Sequence, residues 1–119
     1  MVKANTKKGY EEAENGDSIN FSYPNSKTRR GRVGKQVAQT LTASSLSPQG
    51  VLMIQGDDVR VRRYTPKECF RLMGFDDEDV DVLIENGISN TQLYKMAGNS
   101  IVVNVLDEIF DRLFKSSWF

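Results

Sequence analysis

The sequence predicts an α+β fold: a small, irregular β-rich unit, then short helices, then an amphipathic C-terminal helix. Three observations carry that prediction. Residues 19–61 alternate short apolar or β-branched clusters with glycine, proline and polar turns, as short strands joined by exposed loops do. Residues 65–99 break into segments that open on capping residues and close at glycine. From residue 100 to about 115, apolar side chains fall at three- and four-residue spacings, the period of a helix with one buried face.

At the N-terminus, Thr6-Lys7-Lys8-Gly9-Tyr10-Glu11-Glu12-Ala13-Glu14 follows a usable N-cap and ends at Asn15-Gly16, which predicts a short polar helix within residues 1–17. Ile19-Asn20-Phe21-Ser22-Tyr23 alternates, and clusters recur at Val37–Thr42 and Val51–Ile54. These are the expected strands, punctuated by Gly31, Gly34, Pro48-Gln49-Gly50 and Gly56-Asp57. In Thr65-Pro66-Lys67-Glu68 an N-cap threonine precedes proline at the first helical position and glutamate three residues after the cap. That capping box satisfies two otherwise orphaned amides reciprocally. Gly74 stops this helix. A second is expected from Asp76 to Asn86, closed by Gly87, with Val80, Leu83 and Ile84 on one face, and a third from Ser89 to Ala97, ending at Gly98-Asn99. The last runs from Ser100 to about Lys115, with Val102, Val105, Leu106, Ile109, Phe110 and Leu113 opposite Asn104, Asp107, Glu108, Asp111 and Arg112.

A chain of 119 residues suffices for one domain, or a small domain plus an appendage. Small domains bury roughly 60–70% of the surface their unfolded chains expose, so a piece that normally packs on a partner would be marginally stable alone. The single cysteine, Cys69, excludes an internal disulfide, and the lack of histidine removes the commonest general base and metal ligand. Metal-dependent chemistry is therefore not expected. No apolar run approaches the roughly 18–20 residues of a membrane span, and the polar N-terminus has no signal-peptide core. The chain reads as cytoplasmic, with no membrane partner.

A net charge of zero hides strong segregation. No acidic residue falls between Asp17 and Asp57, and Lys27, Arg29, Arg30, Arg32 and Lys35 lie within nine positions. Residues 57–119 reverse the balance, with twelve acidic residues against eight basic ones. A single-sign block of this kind suits a polyanion, and nucleic acid is the expected partner, with a solvated basic loop as the alternative.

Two blocks resemble a known family. Arg63-Tyr64-Thr65-Pro66-Lys67-Glu68-Cys69-Phe70-Arg71-Leu72-Met73-Gly74-Phe75 is similar to motif nine of the DNA cytosine-5 methyltransferases. Gln92-Leu93-Tyr94-Lys95-Met96-Ala97-Gly98-Asn99-Ser100-Ile101-Val102-Val103-Asn104-Val105 is similar to their closing motif ten. Lys27 to Thr42 looks like the end of a target-recognition region of bacterial and bacteriophage members. The resemblance implies three parts: an N-terminal helix over 1–17, a target-recognition domain with motif nine over 18–88, and motif ten with the C-terminal helix over 89–119. It implies that Lys27, Arg29, Arg30, Arg32 and Lys35 face double-stranded DNA, that Thr40 lies near the target phosphate, and that Thr42 and Ser44 join them beside a base-reading loop from Ala43 to Gly50. Arginine is the side chain best shaped for bidentate contact with guanine.

The same resemblance implies that the closing helix docks on a catalytic domain and completes an S-adenosylmethionine pocket, with Asn99 and Ser100 at the amino-acid end and Gly98 giving close backbone approach or positive φ. The family's glycine-rich cofactor motif, proline-cysteine nucleophile and glutamate-asparagine-valine segment do not occur in these residues. Methylation at carbon five needs a thiolate, an acid and an in-line sulfonium donor. Cys69 lies mid-helix, where a buried structural side chain is expected. The chain by itself is therefore expected to be inactive, to bind S-adenosylmethionine tightly only within a complete enzyme, and to need a catalytic domain or subunit. Three classes fit: the C-terminal subunit of a split methyltransferase, a remnant or piece of a longer one, or a freestanding DNA-binding or inhibitory protein. In the free chain, unless the apolar stripe of the last helix covers the chain's own core, it predicts concentration-dependent homodimerisation or partial unfolding of residues 100–119.

Overall fold

The computed structural model describes residues 1–42 and 49–117, an α+β chain. It contains two compact units, one of residues 1–40 and 49–64, the other of residues 65–117 joined by residues 41–42. The sequence-based boundary at residues 88 and 89 falls inside the second unit.

In the first unit, β1 (Val2–Lys3) and β2 (Tyr10–Glu11) pair antiparallel, Val2 opposite Glu11. This hairpin replaces the helix expected within residues 1–17. Gly9 takes φ +78°, the Ala4 amide donates to the Gly9 carbonyl at 3.2 Å, and the Thr6 hydroxyl donates to the Tyr10 carbonyl at 3.0 Å. Those bonds occupy groups a helix would use, and the segment has no apolar stripe to favour one.

A four-stranded antiparallel sheet follows in the order β4-β3-β5-β6, formed by β3 (Ser18–Asn20), β4 (Val33–Gly34), β5 (Gln49–Gln55) and β6 (Asp58–Arg63). The alternation at residues 19–23 gives a strand only as far as Asn20. There the Asn20 Oδ1 accepts from the Ser22 amide at 2.9 Å and from the Ser22 hydroxyl, turning the chain out of the ladder. The β-branched cluster at Val37–Thr42 forms no strand among its described residues. Gln36 enters it at φ +54°, and the Val37 carbonyl is taken by the Ser18 hydroxyl at 2.6 Å instead of by a neighbouring strand. β5 and β6 form a hairpin from Gly50↔Arg63 to Gln55↔Asp58, turning at Gly56-Asp57.

The second unit is helical: α1 (Pro66–Leu72), α2 (Asp77–Glu85), α3 (Asn90–Asn99) and α4 (Val103–Ser117). The capping box forms as the sequence requires, the Glu68 amide donating to Thr65 Oγ1 at 3.2 Å and the Thr65 amide to Glu68 Oε2 at 2.8 Å. Such a cap contributes about 1 kcal/mol. α1 ends in a Schellman motif. Gly74, at φ +85°, donates to the Arg71 carbonyl, the Phe75 amide reaches back to the Phe70 carbonyl, and the two phenylalanine rings meet edge to face at 5.5 Å. Cys69, Phe70, Val80, Leu93 and Ala97 form the core. Outside it, Arg71 holds Asp77 in a two-pronged pair at 2.6 and 2.5 Å, and Lys67 reaches Asp81 at 2.7 Å.

Two expectations for this unit are corrected. Gly98 lies inside α3, in helical conformation, and does not end it. Ser100 is the C-cap of α3, its hydroxyl donating to the Ala97 carbonyl at 2.8 Å, so α4 starts at Val103 and not at Ser100. The Val103 amide bonds the Met73 carbonyl at 2.9 Å, anchoring the start of α4 at the end of α1. Beyond that anchor, Val105, Ile109, Phe110, Leu113 and Phe114 are each 46–56% exposed.

The core of the first unit is mainly polar. Ala4, Ile19 and Leu52 are buried beside Asp17, Ser18, Asn20 and Arg32. The Asp17 carboxylate accepts from the Glu14 amide at 2.8 Å, the Gln36 amide at 3.1 Å and Gln36 Nε2 at 3.0 Å, and pairs with Lys35 Nζ at 3.1 Å. The Glu14 amide most of all, then Lys35 and Gln36, hold its pKa at about 2 against the opposing effect of burial. Because the folded value lies below the ordinary 3.8, the stabilisation is present in full above 3.8 and is lost as pH falls through about 2. We expect Asp17→Asn to lower the melting temperature at neutral pH and to flatten its fall across that acid window. Thermal melts of both chains from pH 6 to pH 2 would check this; equal acid dependence would exclude Asp17 as the titrating group.

Candidate nucleic-acid interface

The basic block divides between exposed and structural side chains. Lys27 and Arg30 are exposed on the loop between β3 and β4. Arg29 is half-buried, its guanidinium carbon 5.6 Å from the centre of the Tyr23 ring. Arg32 departs from the expected DNA-facing placement. It is 3% exposed, and its guanidinium donates to the carbonyls of Tyr23 at 2.6 Å, Ser22 at 3.0 Å and Asn20 at 3.4 Å. The reason is topological: the extended backbone at Arg32 pairs with β3, its carbonyl accepting the Asn20 amide, which turns the side chain under the loop that leaves β3. Lys35 is exposed but committed to Asp17, with Glu14 at 3.7 Å, and the hydrogen bond to Asp17 raises its pKa.

The base of the loop is clamped from below. Glu11 accepts from the Gly31 amide at 2.8 Å and the Val33 amide at 2.9 Å, and Gln39 Nε2 donates to the Gly31 carbonyl at 3.0 Å. What projects beyond this base is cationic and aromatic, with Tyr23 74% exposed at the turn. Thr40 and Thr42 are exposed and have partners of their own. Ser44 and most of the loop Ala43–Gly50 lie outside the described residues.

A second cationic surface was not anticipated from the sequence. β6 is exposed along its whole length, and the cross-strand register sets Arg60 opposite Met53 and Arg62 opposite Val51, on one face of the hairpin. Arg60 pairs with Asp58 at 3.0 Å. The alternation Val59-Arg60-Val61-Arg62 signals this surface, but its arginines lie outside the acid-free segment that contains residues 27–35.

In the second unit, Asn99 is exposed at the end of α3, and Ser100 lines a mainly apolar cleft of about 300 Å³ with Phe70, Phe75, Asp79, Val80, Leu83 and Met96. Asn99 presents an accessible amide, and the Ser100 hydroxyl, while donating to Ala97, retains acceptor capacity. Cys69 is 1% exposed within α1, which leaves the only thiol of the chain inaccessible as a nucleophile. Among the described residues no cluster of acidic or thiol side chains could hold a metal, and no helix is long and apolar enough to cross a membrane.

An orphan methyltransferase of Bacillus phage SPR, M.SPRI, is 46% identical over 88 residues, covering 73% of this chain and 20% of the phage protein. The orphan methyltransferase M.Rho11sI of Bacillus phage rho11s is 38% identical over 111 residues, covering 82% of this chain and 22% of its own length. The type II methyltransferase M2.ScrFI of Lactococcus lactis subsp. cremoris is 52% identical over 58 residues, 46% of this chain and 15% of that protein. The chain thus spans about a fifth of the length of the curated relatives it matches. No solved structure gives a significant match. The C-5 cytosine-specific DNA methylase family model matches residues 2–115, and the chain belongs to that family.

Proposed function

We propose that this chain is the C-terminal, target-recognising and cofactor-pocket-completing part of a DNA cytosine-5 methyltransferase, and that it transfers no methyl group without the catalytic part. The observation that carries this reading is the state of α4: a helix whose apolar side chains are about half exposed within its own unit is built to lie against a further surface. Cys69 is inaccessible in the core, and no other thiol exists to attack a cytosine ring.

The parts divide accordingly. Lys27, Arg29 and Arg30 meet the phosphates and groove edges of duplex DNA, Thr40 joins them, Thr42 is a DNA contact of its own, and Lys35 contributes charge only beyond what Asp17 neutralises. Asn99 and Ser100 hold the amino-acid end of S-adenosylmethionine in the assembled enzyme, where the cofactor supplies the methyl group. α4 covers its apolar face on the catalytic domain or subunit or, in the free chain, on a second copy.

Three measurements test this reading. Incubated alone with duplex DNA and S-adenosylmethionine, the chain is expected to incorporate no label, and activity should arise on mixing with a chain carrying the catalytic motifs. Turnover by the chain alone, abolished by Cys69→Ser, would contradict the reading.

Replacing Lys27, Arg29 and Arg30 together with alanine should flatten the salt dependence of duplex binding by about 0.9 in the log–log slope for each phosphate no longer neutralised, whereas Arg32→Met should leave that slope unchanged. An unaltered slope in the triple variant would place the DNA-binding cations elsewhere.

Sedimentation of the free chain should show concentration-dependent dimers that Ile109→Asp or Phe110→Asp disrupts, since each fully buried side chain of this kind is worth roughly 1.5–3 kcal/mol. A chain monomeric at all concentrations, in which neither substitution alters activation by the catalytic partner, would remove α4 from both interfaces.

A further inference from the structure

The loop between β3 and β4 holds one residue that packing within the unit does not explain. Tyr23 is 74% exposed, yet it sits at φ +51°, a left-handed conformation that costs a non-glycine residue of order 1 kcal/mol. Pro24 follows it, which further restricts the backbone of the residue before. Strain of this kind persists only where surrounding bonds over-determine it. Here the Tyr23 carbonyl is held by the Arg32 guanidinium at 2.6 Å and the Ser26 amide at 3.0 Å. The same buried guanidinium reaches the carbonyls of Ser22 and Asn20, while Glu11 fixes the amides of Gly31 and Val33 at the other end of the loop. A buried cation, an acid and a strained turn therefore keep an aromatic ring facing solvent, with Arg29 over the ring and Lys27 and Arg30 on the same loop.

An exposed aromatic ring backed by a guanidinium, in a segment without acids, matches the chemistry of a nucleobase: the π-face accepts a base, and the cations hold the adjoining phosphates. We propose that Tyr23 is a base-stacking residue of the interface and that Arg32 is the buried positioning residue that aims it. This assignment rests on the DNA-binding reading above and adds a contact to bases, where the exposed cations by themselves supply contacts to phosphate.

A fluorescein-labelled 20-nucleotide single strand of mixed sequence, whose bases are open to stacking, serves as the probe for the purified chain. Tyr23→Ala and Tyr23→Gly should each weaken binding about 5- to 100-fold with no change in salt slope, Tyr23→Phe should bind like the parent, and Arg30→Ala should reduce the slope by about 0.7. Tyr23→Gly relieves the left-handed strain, so it should melt no lower than the parent; weaker binding by a chain of undiminished stability separates stacking from a structural role. Arg32→Met should weaken binding with the slope retained, as a positioning residue and not a phosphate ligand would. If Tyr23→Gly and Tyr23→Ala bind as tightly as the parent while Arg30→Ala still lowers the slope, the stacking assignment falls and the DNA-binding reading stands. If the parent binds neither this strand nor duplex DNA at any salt, both fall.

Discussion

Buried polar side chains are the constraint on which the first unit depends. With only Ala4, Ile19 and Leu52 as buried hydrophobic side chains among its described residues, the sheet draws little of its order from hydrophobic packing. Asp17 ties the turn before β3 to the segment after β4, and Arg32 ties β3 to the loop above it. A buried charge is costly unless its bonds are met: Asp17 is met by backbone and side-chain donors, and Arg32 by three backbone carbonyls, with only its Nε left without a partner. The result is a small unit whose strands are short but whose loops start from fixed positions. The DNA contact proposed above would draw on that property, because cations held at fixed positions match a site more closely than drifting ones.

The second unit is organised in the opposite way. Its order is local, set by a capping box, two glycine-closed helix ends and a compact apolar core around Phe70, Val80 and Leu93. That core is complete without α4, whose anchor is the bond from the Val103 amide to Met73 and the close fit of Asn104 beside Gly74. The rest of the helix carries its apolar side chains into solvent. The aligned part of this chain covers about a fifth of its curated relatives, and under the function proposed above such a helix would be the joint to the remainder.

Much of the helical half is legible in the sequence because its signals are local. Thr65, Pro66, Glu68, Gly74 and Gly87 each act on their own turn, so their meaning survives without tertiary information. Ser100 is ambiguous for the same reason, since a serine between two helices can cap either one and only the bond to Ala97 decides. The N-terminal hairpin escapes a sequence reading because a capping threonine and a run of charged residues suit a polar helix as well as a turn. Charge segregation locates the basic loop correctly, yet cannot separate Arg32 from Arg30: two residues apart in sequence, one is a buried support and the other an exposed cation. Tyr23 carries no sequence signal beyond its place before Pro24, because its role depends on a positive φ and on a guanidinium nine residues away.

Whether α4 is an unfinished interface is the central question. Hydrogen exchange across residues 103–117, followed in the dilute chain and again after mixing with a chain that carries the catalytic motifs, addresses it directly. Rapid exchange beyond the first turn is expected in the dilute chain, and strong protection in the mixture. Protection already complete in a dilute monomer, and unchanged by the catalytic chain, would show that α4 is finished as it stands and that the chain is not a part awaiting its whole.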